Sequence, residues 1–262
     1  MTPLQLLDTL EAHRAAHQSR DNEPPVLAFD GDGTLWSGDV GEDAFEHFVA
    51  QSLFKDCAHA PLNALCRDEG IREGSSASQA ASHLLAAFRE QRLGELTACE
   101  MMTWAYMGWE PKALHETLVP LLRERELVHR LFAPLQQVLK WTEQNGLRSL
   151  VISASPKFVI DAALDVVGAH PSNVAAGQLL LRADPDSGRQ ILDRHFEYPL
   201  PYAEQKVASI ERLAPGAPVL AAFGDNIFDF EMLSRANVPV AVRPKTALEN
   251  ALHRLPACVR LT

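Results

Sequence analysis

VLAFDGDGTL, residues 26–35, joins a run of four apolar residues to a turn that carries two carboxylates. Val26, Leu27, Ala28 and Phe29 predict a buried strand. Asp30 and Asp32 stand at its exit, set among Gly31 and Gly33 and followed by Thr34. Two acids in that position repel each other and lose solvation, a cost that a bound cation offsets. The stretch therefore predicts a metal-dependent active site. The plainer reading is an acidic turn, because Asp and Gly are ordinary turn residues. The rest of the chain decides between the two.

Lys and Arg total 24 against 34 Asp and Glu in 262 residues, a formal charge of -10 with no long basic run. That balance argues against nucleic acid or an anionic membrane as the main partner and favours a small soluble one. No apolar run approaches the roughly 18 residues that suggest a membrane span, and the N-terminus lacks the basic start and apolar core of an export signal. Cys57, Cys66, Cys99 and Cys258 form no CxxC pair. Reduced, mostly buried thiols in a cytoplasmic compartment are expected, without a zinc site. No feature of the sequence specifies an oligomeric state.

Leu4, Leu7, Leu10 and Ala15 recur at helical spacing over residues 3–18, where His13 and His17 lie one turn apart on what reads as an exposed face. Residues 19–23 and Pro24-Pro25 form a connector, so 1–23 is expected to be an N-terminal helix and its link to the body. From Trp36 to Arg130 the pattern is helical, over 42–54, 60–69, 77–92, 95–107 and 111–130, with breaks at Gly70, Gly74, Gly94, Gly108 and Pro111. This predicts a helical subdomain, 37–130, inserted into a core made of 24–36 and 131–262. In the core, helices over 134–144, 156–167, 203–213, 229–235 and 246–253 alternate with strands over 149–153, near 174, over 219–224 and over 238–242, and 258–261 closes an edge. That alternation predicts an α/β fold, a Rossmann-like three-layer parallel sheet with helices on both faces. Residues 177–198 break the rhythm as a hairpin around Asp184 to Gly188.

Ligands of an open parallel sheet bind at the carboxyl ends of its strands. The polar residues there form a set: Asp30 and Asp32 after the first strand, Ser153 and Ser155 after the second, and Asp225, Asn226 and Asp229 after the strand ending at Gly224. Lys206 starts the helix before that last strand. Several carboxylates, a lysine and a hydroxyl suit Mg2+ together with a phosphate, because Mg2+ takes hard oxygen ligands and is shared between carboxylates and substrate phosphate. Lysine offsets the charge of a nucleophilic aspartate and a serine hydroxyl donates to a phosphoryl oxygen.

The chain resembles the haloacid dehalogenase superfamily of phosphohydrolases. DGDGT at 30–34, Ser153 in VISAS, Lys206 and GDNIFD at 224–229 are similar to its four signatures, in order. The resemblance implies that Asp30 attacks phosphorus to give an aspartyl-phosphate. It also implies that Asp32 serves as general acid and then general base. Asp30, the backbone carbonyl of Asp32 and Asp225 would hold Mg2+, with Asp229 and Asn226 behind them, while Ser153, Ala154, Gly31 and Lys206 would cradle the phosphate. An acid two residues after the nucleophile disfavours dehalogenation.

A helical cap between the first two signatures, and the hairpin before Lys206, are similar to the phosphoserine phosphatase group. Two residues depart from that group: Gly31 replaces a bulkier one, and Asp39 stands where a glutamate recognises the substrate amine, with Glu42 near. The expected function is Mg2+-dependent hydrolysis of a small phosphorylated metabolite, phosphoserine or a related ester. The alternatives are a phosphotransferase or mutase of the same superfamily and a non-catalytic protein that binds a phosphate ligand. In the cap, Trp104, Tyr106 and Trp109 read either as an aromatic lid or as internal packing. Arg67, Arg72, Arg89 and Arg92 read as carboxylate clamps or as a solvated helix face.

Overall fold

The computed structural model describes residues 2–18 and 24–262, so the connector at 19–23 and the side chain of His17 lie outside the described residues. Helix α1 (Pro3–Gln18) is followed by β1 (Val26–Phe29). Then come α2 (Val40–Ala50), α3 (His59–Asp68), α4 (Ala77–Arg89), α5 (Glu95–Trp104), α6 (Pro111–Glu124), α7 (Leu127–Arg130) and α8 (Ala133–Gln144). The core continues with β2 (Arg148–Pro156), α9 (Lys157–Val167), β3 (Asn173–Gly177), the hairpin β4 (Leu179–Ala183) and β5 (Gln190–Phe196), and α10 (Glu204–Leu213). It ends with β6 (Val219–Gly224), α11 (Phe230–Ser234), β7 (Val238–Val242), α12 (Thr246–Ala251) and β8 (Val259–Leu261).

The six-stranded sheet has the order β3-β2-β1-β6-β7-β8 and is parallel throughout. Parallel strands place all their carboxyl ends on one edge, so the exits of β1, β2, β6 and β7 converge. Alternation along β1 divides the core in two. Leu27 and Phe29 pack on one face with the helices between β1 and β2, whereas Val26 and Ala28 pack on the other with α10, α11 and α12. Phe29 stacks on Phe223 of β6, with ring centroids 4.5 Å apart. The two aspartates thus leave a strand fixed on both faces and both sides.

Helix α1 buries Leu6 and Leu10, while Leu4 is 73% exposed. Its stripe is rotated from the expected Leu4-Leu7-Leu10 face because the pair one turn apart, Leu6 and Leu10, meets the body. The predicted helix over 111–130 is two helices, since Glu126 adopts φ 53°, a left-handed conformation that ends α6. Of the four thiols, Cys66 is buried, Cys99 and Cys258 half-buried and Cys57 exposed, so burial of the thiols is less complete than expected.

Residues 37–130 share one continuous apolar cluster with the adjoining sheet face. Its middle is aromatic: Phe48, fully buried, lies against Phe54, Tyr106 and Trp109 at centroid distances of 5.6, 4.7 and 5.4 Å. The packing reading therefore describes Tyr106, which is fully buried, and Trp104, which is nearly so. Phe48→Ala should lower the unfolding free energy by about 3–5 kcal/mol, read from the midpoint of urea denaturation; a shift below about 1 kcal/mol would show that the cluster does not carry this segment. The hairpin joins the same segment through Gly108 N to Leu192 O and Leu192 N to Trp109 O, both 2.9 Å. No helix among the described residues is long and apolar enough to cross a membrane.

Candidate active site

The loops after β1, β2, β6 and β7 and the N-terminal ends of α5 and α10 meet over the carboxyl edge of the sheet, around a cavity of about 100 Å3. Asp30 is buried at the end of β1. Lys206, buried in the first turn of α10, donates to Asp30 Oδ1 at 2.6 Å and to Asp229 Oδ1 at 2.5 Å. The backbone of Ala203 just before it holds φ 49°, a region that favours glycine, where the chain turns to enter that helix. Asp229 Oδ2 accepts from the backbone N–H groups of Asp225 (3.0 Å) and Asn226 (2.9 Å). The Asn226 and Asp229 side chains form a reciprocal capping box that sets the turn after β6. Glycine is required twice here. A Cβ on Gly33, whose φ is +81°, would stand 2.2 Å from Asp225 Oδ2, and one on Gly224 would stand 2.4 Å from Asp229 Cβ.

Asp32 is held by three donors: Trp36 Nε1 and Val40 N to Oδ1, each at 2.7 Å, and Ser155 Oγ to Oδ2 at 2.6 Å. Buried Ser153 accepts from Ser155 N at 3.1 Å through its Oγ, which ties the exit of β2 to the same rim. Asp225 receives Lys245 Nζ at 2.9 Å and lies 3.5 Å from Thr34 Oγ1.

Burial, and next the neighbouring Asp229, push the Asp30 carboxyl well above the usual carboxylate range, against the pull of Lys206. Burial also raises Asp32, opposed by its bonds from Ser155, Val40 and Trp36. Asp225 is raised by burial and Asp229 and lowered by Lys245. Burial works against the Lys206 ammonium, but Asp229 and Asp30 outweigh it and keep the lysine charged. Oxygens of Asp30, Asp225 and Asp229 all lie within 4.8 Å of one another, and all three residues are buried. With Asp32, these carboxylates outnumber the two ammonium groups that touch them, Lys206 and Lys245. A buried surplus of hard anionic oxygens is the donor set a small divalent cation requires, so the residues present fit Mg2+.

A family model described as haloacid dehalogenase-like hydrolase matches residues 27–234. The chain belongs to this family. No curated protein matches it. Among solved structures, a protein of unknown function from Bordetella pertussis Tohama I is similar over 91% of this chain and 99% of its own, at 17% identity and a TM-score of 0.67. Cytosolic 5'-nucleotidase IIIB bound to cytidine is similar over 97% of this chain and 83% of its own, at 13% identity and a TM-score of 0.53. A probable phosphoserine phosphatase from Vibrio cholerae is similar over 86% of this chain and 58% of its own, at 14% identity and a TM-score of 0.51. These likenesses show a shared fold.

In this haloacid dehalogenase-like hydrolase, Asp30, Asp32, Asp39, Ser153, Ala154, Lys206, Asp225, Asn226 and Asp229 all reach the cavity. Gly31, expected to cradle the phosphate, does not line the cavity; a Cβ added to it would stand 3.6 Å from Ser153 Cβ. Glu42 is not brought there: its carboxylate accepts from Arg89 Nε at 2.6 Å. Arg67 and Arg92 pair with Glu73 and Glu90, and Arg72 is exposed, which matches the solvated-face reading. Lys245, absent from the set expected from the sequence, also lines the cavity; it stands three residues past β7, a position the strand-end rule covers. Glu95, Cys99, Tyr202 and Phe228 also line the cavity. No strand-end rule reaches the first two, because α5 is placed there only by the folding of the helical segment.

Proposed function

We propose that this hydrolase is a Mg2+-dependent phosphomonoesterase that cleaves a small phosphorylated metabolite through an aspartyl-phosphate at Asp30. The observation that carries the reading is the pairing of an acid held by Lys206 with a second acid, two residues on, held by neutral donors. Environments that differ in this way give two carboxylates separate roles. An Asp30 carboxylate oxygen attacks phosphorus and the bond to the leaving oxygen breaks as Asp32 supplies its proton. Asp32 then takes a proton from water, whose oxygen attacks the phosphoryl group, and Asp30 is released with inorganic phosphate. Lys206 and the Ser153 hydroxyl donate to the phosphoryl oxygens as charge moves between them.

Mg2+, held by Asp30, Asp225 and the backbone carbonyl of Asp32 with Asp229 and Asn226 behind, would supply the positive charge that lets a phosphate approach these acids. Residues 37–130 serve as the cap that excludes water and selects the ester. The free thiols suit the reducing cytoplasm. Hydrolysis of p-nitrophenyl phosphate tests the reading: activity with Mg2+ should fall at least about 100-fold in excess EDTA and return when Mg2+ is restored. Undiminished turnover in EDTA would refute the metal-dependent mechanism, and no turnover of any phosphate ester would favour a phosphate-binding protein.

A further inference from the structure

Lys245 is not accounted for by its own helix. It is the N-cap of α12, a position where Ser, Thr, Asp and Asn are preferred, and its side chain makes no capping bond. Its Nζ instead lies 2.9 Å from Asp225 Oδ2, the Asp225 oxygen nearest Gly33 in the loop after β1. Oδ1 of the same carboxylate lies 3.5 Å from Thr34 Oγ1. The two lysines that touch the acids of the site differ in exposure. The Lys206 side chain is 5% exposed and bridges Asp30 and Asp229, so withdrawing it would leave buried charges unpaired. The Lys245 side chain is 59% exposed and pairs, among the described residues, with Asp225 alone, so its ammonium can return to water at little cost.

We infer that Lys245 is a built-in competitor of the metal: its ammonium neutralises Asp225 when no cation is bound, Mg2+ must displace it, and this residue thereby sets the metal affinity of the site. The inference rests on the Mg2+ part of the proposed function and adds a residue to it. A divalent cation seated among Asp30, Asp225 and Asp229, whose oxygens lie within 4.8 Å of one another, would share the Asp225 carboxylate with the ammonium. Two positive centres on one carboxylate repel, and the exposed lysine is the one that yields. Binding Mg2+ therefore gives up an ion pair, and the cation is held more loosely than the carboxylates alone would hold it. Without the metal the same ion pair offsets the repulsion between Asp225 and Asp229.

Isothermal titration calorimetry of Mg2+ into the metal-free protein tests this without turnover. Lys245→Met, which removes the charge and keeps an unbranched stem, should tighten the Mg2+ dissociation constant by about tenfold at low ionic strength, and by less in about 0.5 M KCl, where charges are screened. Lys245→Arg, which keeps the charge, should stay near the parent. The Lys245 N–H that donates to Asp225 O at 2.8 Å belongs to the backbone and persists in both variants. Urea denaturation gives a second readout: Lys245→Met should unfold earlier than the parent in EDTA, and a fixed Mg2+ concentration should raise its midpoint by more than it raises the parent's. A dissociation constant that is unchanged in Lys245→Met, or tightened equally in Lys245→Arg, would overturn the inference. So would weaker binding in Lys245→Met, by showing that Lys245 orients Asp225 for the metal; all three results leave the hydrolase reading intact. A parent protein that binds no Mg2+ would overturn both the inference and the metal-dependent mechanism.

Discussion

Asp30→Asn is expected to abolish hydrolysis of every phosphate ester, with kcat lowered on the order of 10^4-fold or more, as for removal of a covalent nucleophile. The amide keeps the size of the side chain, and Lys206 keeps Asp229 as partner. The loss should therefore not come from unfolding. Burial and Asp229 hold the Asp30 carboxyl above its unfolded value, so the folded protein binds the proton more tightly. Without metal, ionised Asp30 then costs stability that is intact at low pH and is lost as pH rises above the unfolded carboxylate value. Asn removes that cost. Denaturation in EDTA near neutral pH should give Asp30→Asn a midpoint equal to or above that of the parent protein, with a smaller decline as pH rises. A variant that retains more than about one per cent of the activity would exclude Asp30 as nucleophile.

Asp32→Asn is the second large effect, and its signature differs. General acid–base catalysis contributes about 10^2- to 10^4-fold, so turnover of an alkyl phosphate should fall by that amount. An aryl leaving group of low pKa departs without a proton. With p-nitrophenyl phosphate the first step should survive while hydrolysis of the aspartyl-phosphate fails for want of a base. Stopped-flow absorbance should then show a burst of nitrophenol of about one equivalent per active site, followed by slow turnover. Loss of the burst together with the steady state would mean that Asp32 acts before the covalent step, for instance by positioning Asp30. Three hydrogen bonds fix the Asp32 carboxylate, two from the β1–α2 segment through Trp36 and Val40 and one from Ser155 after β2. An asparagine can retain two of them.

Asp30 and Asp32 fall to different tasks because they have different neighbours, and those neighbours come from distant parts of the chain. Lys206 is 176 residues from Asp30, and Ser155 is 123 from Asp32. Their convergence was still legible, because each follows a strand or begins a helix, and a parallel sheet brings strand ends to one edge whatever lies between them. The same rule, carried to β7, would have reached Lys245.

Sequence alone determined the order of strands and helices in the core, the hairpin before Lys206 and the family, because period-2 and helical patterns and turn residues are local signals. The carboxylate pair at the end of VLAF belongs to that local information as well. Only the tertiary structure decided which of the helical residues at 37–130 face the chemistry. Tyr106 and Phe48 went to the interior, Glu42 went to Arg89, and Glu95 and Cys99 of α5 came to the cavity. The reason is that an amphipathic helix specifies which of its faces is apolar but not what that face will pack against. In this protein a shared aromatic cluster and the backbone bonds between the hairpin and residues 108–109 fix that choice.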